Sequence, residues 1–320
     1  MTEGEFRVGY SDLLEEPIPG PYEAKARHDA TVRNPPAPIG RVSHDGSMTT
    51  PEQPTTTVAE RRTRFRALHG SGTFVIPNPY DVGSARLLTA LGFSALATTS
   101  SGFAATLGRM DMSITRDEIV NHATALAAAT DLPLNVDAER CFADDARGVA
   151  ETVRLLAEAG AAGISIEDWN PSTGAIDPID VATERVGAAA EEARRHGVVL
   201  TGRCENLLHG INDLDETIAR LCAYRDAGAE VLYAPGLVDV DLIGRVVGEL
   251  RAPINVLLFP NGPSVNELAA AGVRRVSTGG LMSHVALGAM TAAAQSLLTT
   301  GHLGPTNLLP RDLAKRAFIS

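Results

Sequence analysis

Residues 144–168 read DDARGVAETVRLLAEAGAAGISIED, and this stretch determines the fold class that we predict. Apolar residues in 144–159 recur at the spacing of one helix face. Gly160 follows where a helix end favours a residue with positive φ, and 163–167 is a short apolar run. A helix that leads through glycine into an apolar strand is one unit of a parallel sheet that is covered on both faces.

The same unit recurs along the chain from residue 58 onward. The predicted strands are the short apolar runs 73–77, 94–99, 132–137, 163–167, 198–203, 230–234, 254–259 and 274–278. The predicted helices are 58–69, 84–91, 116–129, 144–159, 178–196, 213–227, 239–250, 264–271 and 283–299. Gly92, Gly228 and Gly272 repeat the role that we give to Gly160. Eight strand–helix units in about 245 residues predict an α/β fold, a (β/α)8 barrel of the TIM type.

Sequence motifs of other folds and catalytic classes are absent. The first predicted strand is followed by NPYDVG at 78–83 instead of GxGxxG, which disfavours the alternative of a doubly wound open sheet. The sequence also lacks the motifs GxSxG, HExxH and GxxxxGK(S/T). Serine hydrolases, zinc proteases of the HExxH type and P-loop nucleotide hydrolases are therefore disfavoured.

Composition excludes several classes of partner. The chain has 320 residues, a formal net charge of −11 and 4% aromatic residues. An acidic surface repels phosphate backbones, and few aromatics leave no platform for stacked bases, so we expect no nucleic acid partner. We find no apolar run near the roughly 18 residues that span a bilayer and no signal-peptide pattern. Three cysteines without CxxC spacing indicate reduced thiols, so we expect a cytoplasmic protein without a membrane partner.

The first 57 residues differ from the rest of the chain. They contain 8 of the 19 prolines and show neither helix nor strand periodicity. We therefore predict a flexible Pro-rich leader at 1–57, a barrel catalytic domain at 58–302 and a C-terminal tail at 303–320. Two alternatives for the leader stay open, a later start at Met48 and an arm that packs on a neighbouring subunit. We expect deletion of residues 1–57 to leave folding intact.

Acidic residues follow three consecutive predicted strands. The third strand ends in Asp137 and Glu139, the fourth in Glu167 and Asp168, and Glu205 follows the fifth. In a barrel these ends meet at one mouth, where like charges are costly unless a cation neutralises them. Mg²⁺ binds oxygen ligands and keeps several waters, so it suits such a cluster. The alternative is that the carboxylates form salt bridges or cap the following helices, as Asp168 in particular could.

Three other features are candidates for binding or chemistry. Arg203 stands inside an otherwise apolar strand, where a guanidinium can grip a substrate carboxylate or serve as a buried partner for Glu167 or Glu205. The turn TSSG at 99–102 could present backbone N–H groups to an anion. Cys141 could be a nucleophile, but a packed, unreactive thiol is the more common situation.

Several motifs together resemble the isocitrate lyase/phosphoenolpyruvate mutase superfamily over about residues 60–300. The motifs are GFSAL at 92–96 followed by TSSG at 99–102, LGRMD at 107–111, LPLNVDAE at 132–139, AAGISIED at 161–168, GRCE at 202–205 and AGAEVL at 227–232. Their order and spacing are specific, although none is specific alone. The resemblance implies a Mg²⁺-dependent barrel that stabilises a pyruvate enolate, and a homo-oligomer (dimer or tetramer) that exchanges a terminal helix between subunits.

The resemblance also implies the roles of individual residues. The implied metal residues, most of them acting through water, are Asp137, Glu139, Asp111 and Glu167. The implied substrate-binding residues, which hold a small carboxylate, are Thr99, Ser100, Ser101 and Arg203. Of these two groups, Arg203 and Glu167 are the implied catalytic residues.

One loop departs from the family pattern. Lyases of the family carry a Lys-Lys-Cys-Gly-His segment after the fourth strand, whereas this chain has WNPSTGAID at 169–177. The proton-transfer group is therefore unassigned, and its candidate replacements are Cys141, Asp168, His209 and Asn255. We predict a Mg²⁺-dependent lyase that cleaves a C–C bond in a small 2-keto or 2-hydroxy acid. The alternatives are a P–C bond mutase or hydrolase of the phosphonopyruvate type and a barrel that binds a carboxylate without turnover.

Overall fold

The fold is built on an eight-stranded parallel sheet, described by a computed structural model that covers residues 56–318. The strands in chain order are β1 Phe74–Ile76, β2 Leu96–Ala97, β3 Leu134–Asp137, β4 Gly163–Glu167, β5 Trp169–Asn170, β6 Ala175–Ile176, β7 Val199–Arg203, β8 Val231–Tyr233, β9 Ile254–Leu257 and β10 Arg275–Ser277. β5 and β6 form a separate antiparallel hairpin. All eight predicted strands are present in the main sheet.

The sheet closes into a barrel. Its strand order is β1-β10-β9-β8-β7-β4-β3-β2, so β1 and β2 stand at the two ends. The N–H of Ala97 in β2 donates to the carbonyl of Pro77, directly after β1, at 3.1 Å, and this bond joins the two ends. The predicted (β/α)8 barrel is therefore confirmed.

Helices surround the barrel and follow the predicted pattern. They are α1 Val58–Leu68, α2 Val82–Ala90, α3 Ser100–Thr106, α4 Arg116–Ala129, α5 Ala146–Glu158, α6 Ile179–His196, α7 Leu214–Asp226, α8 Val240–Leu250, α9 Val265–Ala270, α10 Leu281–Thr300 and α11 Arg311–Ala317. The four glycines predicted after helices all have positive φ, between 89° and 113°. Two helices were not predicted: α3, which begins in the predicted turn 99–102, and α11, which lies in the predicted tail and packs on α2.

Helix α1 closes the amino-terminal end of the barrel. Phe65 of α1 is fully buried against strand residues that include Phe74 and Val199. Gly163 permits this approach, because a Cβ atom at that position would lie 2.4 Å from Cε1 of Phe65. The amino-terminal half of the barrel is thus a packed core, and the open end of the barrel is the one formed by the carboxyl ends of the strands.

The start of the described chain is anchored to the barrel domain. Thr56 Oγ1 donates to Oδ1 of Asp131 at 3.0 Å, and Thr57 caps α1 in a reciprocal pair of hydrogen bonds with Glu60. Residues 1–55 lie outside the described residues, so the division into leader, barrel and tail stays a proposal. A deletion that tests this division should end at residue 55, because loss of the Thr57 cap alone costs about 1 kcal/mol.

Helix α10 presents an apolar surface. Val285, Met290, Leu297 and Leu298 are exposed, and α10 is packed mainly on α3. Over its 20 residues it has the length and composition that a membrane span needs, and 6% of its most apolar 18-residue window is buried within the described residues. This differs from our expectation that no apolar run approaches that length. The expectation failed because Ser, Thr and Gly interrupt the apolar residues of this segment, so that it does not form a continuous apolar run although it contains no charged residue.

Acid should destabilise the protein through His122, a buried residue of α4. The ring of His122 stacks on Phe103 with centroids 3.9 Å apart, and its Nε2 has no hydrogen-bond partner among residues 56–318. Burial lowers the pKa of His122 from 6.5 to about 4, against a smaller rise caused by Asp81. The fold therefore favours the neutral ring, and this contribution to stability is complete above pH 6.5 and disappears as the pH falls toward 4.

Between pH 6.5 and pH 4, we expect the free energy of unfolding of His122→Leu to fall by roughly 3 kcal/mol less than that of wild type. Urea unfolding of wild type and variant at the two pH values measures this difference. His69, whose pKa burial lowers to about 3, is present in both proteins and supplies the acid sensitivity that remains. Parallel stability curves for the two proteins would contradict the prediction.

Candidate active site

The carboxyl ends of the strands enclose a cavity of about 210 Å³. The three strands β3, β4 and β7 each end in a charged residue at this mouth. The cavity is lined by seven of the eight side chains predicted for the site: Thr99, Ser100, Ser101, Asp111, Asp137, Glu167 and Arg203. The eighth, Glu139, lines a neighbouring cavity of about 580 Å³. The fold thus brings together all but one of the residues that the sequence indicated.

Arg203 lies at the centre of the charged cluster. Its Nε donates to Glu205 in a short charged hydrogen bond, and its Nη1 lies 3.2 Å from Glu167 and 3.6 Å from Asp137. Burial alone would lower the pKa of Arg203, but these three carboxylates outweigh burial and raise that pKa well above its usual value. Its Nη2 forms no hydrogen bond within residues 56–318, so this end of the guanidinium can donate to a ligand.

Burial dominates the electrostatics of the carboxylates beside Arg203. Glu167 and Glu205 are both buried. Desolvation raises the pKa of each above 4.5, and Arg203 partly opposes that rise. The two side chains therefore depend on Arg203 to carry their charge. Arg203 is therefore a buried ion-pair partner of Glu167 and Glu205, as one of the two alternatives predicted. Its Nη2, which forms no hydrogen bond within residues 56–318, can still bind a substrate carboxylate.

Ser100 connects two further acidic residues. Its Oγ lies 3.1 Å from Oδ1 of Asp111 and 3.3 Å from Oδ2 of Asp137, and its N–H lies 3.4 Å from the same oxygen of Asp137. Asp137 is held further by its own N–H, which donates to Thr98 Oγ1 at 2.9 Å. The carboxylates of Asp111 and Asp137 therefore share one hydroxyl group at the edge of the cavity.

Glu139 is a buried carboxyl group without an ion-pair partner among residues 56–318. It is 5% exposed, and its Oε1 has no hydrogen-bond partner among the described residues. Burial, followed by the negative charges of Asp137 and Asp111, raises the pKa of Glu139 to about 8. Five carboxylates therefore crowd this mouth, and in the described chain Arg203 is the only side chain that forms ion pairs with any of them. A second cation would relieve this excess.

The residues fit a hydrated Mg²⁺ ion better than a fully protein-bound metal. Residues 56–318 contain no group of three His, Cys, Asp or Glu side chains arranged to hold a metal directly. Arg203 stands between the carboxylates of Asp137, Glu167 and Glu205 and prevents such a cluster. Mg²⁺ is commonly bound through one or two carboxylates with several waters. The orphaned Oε1 of Glu139 and the partly exposed Asp137 suit that kind of site.

Three candidate proton-transfer groups have structural roles instead. Cys141 is fully buried, and burial raises its pKa to about 12, so it matches the packed-thiol alternative. Asp168 accepts hydrogen bonds from Tyr224 Oη at 2.6 Å and from the N–H of Glu205 at 2.8 Å. Asn255 lies inside the barrel, where it accepts a hydrogen bond from the buried Arg275 at 2.9 Å. None of these three side chains lines the cavity.

Two aromatic residues at the cavity were not predicted from the sequence. Trp169 starts the β5–β6 hairpin, and its ring stacks on His209 with centroids 3.5 Å apart and planes at 9°. Tyr233, the last residue of β8, lies beside Arg203, whose Cζ is 5.4 Å from the ring centroid. Both aromatic residues line the cavity. The position of Tyr233 at the end of a strand could have indicated its place at the site. No sequence pattern indicated the stack of Trp169 on His209 across the mouth.

The backbone beyond β3 is unusual. Glu139, Cys141 and Phe142 have positive φ values of 46°, 58° and 52°, which side chains other than glycine rarely adopt. In this turn Glu139 lines the larger cavity, whereas Asp137 lines the smaller one. Strained backbone of this kind persists only where the surrounding structure enforces it, and it is concentrated at functional sites.

Comparison with known proteins gives consistent results. The family model described as phosphoenolpyruvate phosphomutase matches residues 65–298. A Burkholderia cenocepacia protein classed as a lyase/mutase has a crystal structure that is similar to this one, with 48% identity and a TM-score of 0.77 over 81% of this chain and 95% of that one.

Two curated relatives extend the comparison. An uncharacterized protein of Mycobacterium tuberculosis is 34% identical over 73% of this chain and 88% of its own length. The 2-methylisocitrate lyase of Escherichia coli is 30% identical over 65% of this chain and 75% of its own length. The similarity therefore spans most of the barrel in each case.

Proposed function

Because the chain belongs to the isocitrate lyase/phosphoenolpyruvate mutase superfamily, we propose that it is a Mg²⁺-dependent lyase that cleaves a C–C bond in a small 2-keto or 2-hydroxy carboxylic acid. The observation that carries this proposal is the convergence of Asp137, Glu167 and Arg203 on one small cavity at the carboxyl ends of the strands. A cavity of about 210 Å³ suits a small acid rather than a nucleotide or a polymer.

Binding of the substrate carboxylate is assigned to Arg203 and the segment Thr99–Ser101. The free Nη2 of Arg203 can donate to that carboxylate, while Nε and Nη1 remain paired with Glu205 and Glu167. Glu167, the second residue that we predict to be catalytic, holds the guanidinium in this orientation. Tyr233 packs against the same guanidinium and limits its movement. The substrate would therefore meet a preorganised cation.

Asp137 is the residue that we assign to Mg²⁺ directly, with Asp111, Glu139 and Glu167 acting through water. When bound, Mg²⁺ would supply Lewis-acid stabilisation of the negative charge that forms on substrate oxygen as the C–C bond breaks. Ser100 would keep the carboxylates of Asp111 and Asp137 oriented by its hydroxyl group. The excess of carboxylates over cations at this mouth supports the assignment.

The phosphomutase description of the matching family model favours a second candidate, P–C bond chemistry on a phosphonopyruvate-like acid. A third candidate is a barrel that binds a carboxylate without turnover, since 169–177 forms a hairpin without the cysteine and lysine of lyase loops. The three candidates share the carboxylate site and differ in the bond that breaks.

One assay distinguishes these candidates. Purified protein is incubated with Mg²⁺ and a panel of oxaloacetate, 2-methylisocitrate and phosphonopyruvate, and pyruvate, phosphate and phosphoenolpyruvate are followed, with EDTA and a protein-free Mg²⁺ mixture as controls. Pyruvate without phosphate supports C–C cleavage, pyruvate with phosphate supports P–C hydrolysis, and phosphoenolpyruvate supports a P–C mutase. Thermal stabilisation by an acid of the panel without any product supports the binding protein and contradicts the lyase.

We also propose a homo-oligomer in which a second copy covers α10. The exposed apolar side chains of this helix and its packing on α3 support an intersubunit position. Cytoplasmic localisation is part of the same proposal, supported by three cysteines that form no disulfide in the structure.

A further inference from the structure

The proposed function leaves a need for a proton donor at the substrate. Among the titratable side chains that line the cavity, Asp111 and Asp137 belong to the proposed metal shell. Glu167 and Glu205 are paired with Arg203. Tyr233 shares a hydrogen bond with Ser277, and burial raises its pKa far above the usual value, so it holds its proton firmly. His209 is the titratable side chain that remains.

His209 is held in place from two sides. It ends the short 3₁₀ helix Asn206–His209, and its N–H donates to the carbonyl of Glu205 at 3.2 Å. The Trp169 ring lies flat against the imidazole ring. Asp168, next to Trp169, accepts the N–H of Glu205 at 2.8 Å, so the two segments that carry the stack are tied together. The ring is therefore oriented before any ligand binds.

The ring nitrogens of His209 are available for chemistry. Neither has a hydrogen-bond partner within residues 56–318, whereas His69 bonds to the carbonyl of Phe65 and His196 to Glu192. Partial burial and the positive charge of Arg203 lower the pKa of His209 below its usual value. The neutral ring can accept a proton, and its conjugate acid gives the proton up readily. The carboxylates of Asp111, Asp137, Glu167 and Glu205 line the same cavity, and their negative charge favours the protonated ring.

We propose that His209 is a catalytic residue that transfers a proton to and from carbon 3 of the 2-oxo acid, an inference that rests on the proposed lyase function. When the bond between carbon 3 and carbon 4 breaks, carbon 4 departs as carbon dioxide from a 4-carboxylate, and the bonding electron pair stays on carbon 3 and spreads to the keto oxygen as an enolate. The imidazolium of His209 then gives its proton to carbon 3, which forms the new C–H bond. The neutral ring regains a proton from water, and no oxidant or reductant is involved.

The reverse of this step provides the test. In D₂O with Mg²⁺, the neutral imidazole should remove a methyl proton of pyruvate and return a deuteron, which proton NMR follows as loss of the methyl signal. We expect His209→Asn to slow this exchange by about 100-fold or more. Calorimetry with oxalate and Mg²⁺ should give affinities within about threefold of wild type, because the asparagine changes no carboxylate contact.

Two matched variants separate proton transfer from structure. Trp169→Phe keeps an aromatic face against the imidazole and should retain most of the exchange rate. His209→Ala should lose the exchange but regain part of it when free imidazole is added. Thermal melting checks that each variant is folded, and the exposed position of His209 favours this outcome.

Two results would overturn the inference while the lyase function stands. One is exchange by His209→Asn at the wild-type rate, and the other is a loss of oxalate affinity in that variant as large as its loss of exchange. If wild-type protein neither exchanges pyruvate protons nor cleaves any acid of the panel, the lyase function itself fails, and the role of His209 fails with it.

Discussion

Asp137→Ala is expected to abolish Mg²⁺-dependent binding of oxalate, with at least about a 100-fold loss of affinity by calorimetry. The expectation follows from the position of Asp137 at the end of β3, where Ser100 and the N–H bond to Thr98 hold its carboxylate at the cavity. The variant lacks the one residue that we assign to direct contact with the ion, and the neighbouring carboxylates reach the ion only through water. The matched control is Asp180→Ala, which removes an exposed carboxylate from α6 and should leave the metal response unchanged.

The same variant should separate the loss of metal from the loss of fold. After burial, the charge of Asp137 is the next cause that raises the pKa of Glu139, so its removal relieves repulsion in the metal-free protein. We therefore expect a metal-free melting temperature equal to or above that of wild type. The stabilisation that Mg²⁺ and oxalate give wild type should disappear. A variant that keeps the full metal response would show that the ligand assignment is wrong.

The barrel, and the convergence of most of the candidate site residues at its mouth, could be predicted because both depend on local periodicity. Apolar runs of strand length and glycine at the helix ends define the repeating unit, and in a parallel barrel every strand end reaches the same mouth. Asp137, Glu167 and Arg203 are the last residues of β3, β4 and β7, so counting along each strand was sufficient to bring them together.

Glu139 shows where such counting fails. Asp137 and Glu139 are two residues apart and would share a face if the strand continued. β3 ends at Asp137, and the positive φ of Glu139 turns the chain, so its side chain lines the larger cavity. No sequence pattern announced this backbone conformation in a residue other than glycine.

Contacts between loops were also beyond the sequence. Trp169 and His209 are 40 positions apart on segments without helix or strand periodicity, and their stack depends on how Asp168 joins the two loops. His209 was therefore one candidate among four in the sequence, and the structure distinguishes it from Cys141, Asp168 and Asn255 by its place in the cavity.

Arg203→Met should have the largest effect on both ligand binding and stability. It removes the cation that pairs with Glu167, Glu205 and Asp137, two of which are buried. Removal of one partner from a buried ion pair costs about 3–5 kcal/mol, because the remaining charge is left uncompensated. We expect a loss of stability of this size in urea unfolding at pH 7, together with loss of oxalate binding. Arg203→Lys keeps the charge but not the planar fork, so it should recover part of the stability and little of the affinity.

The pH dependence of this loss identifies its cause. Burial already raises the pKa of Glu167 and Glu205 above 4.5, and without Arg203 nothing comparable opposes that rise. A carboxyl whose folded-state pKa is raised favours folding when protonated, and it becomes costly as the pH rises above its unfolded value. The stability gap between Arg203→Met and wild type should therefore be small near pH 5 and grow toward pH 8. Adding Glu205→Gln to the variant should narrow the gap at pH 8, since one uncompensated charge is gone. A gap that does not change with pH, or unchanged oxalate affinity, would show that Arg203 acts through packing alone.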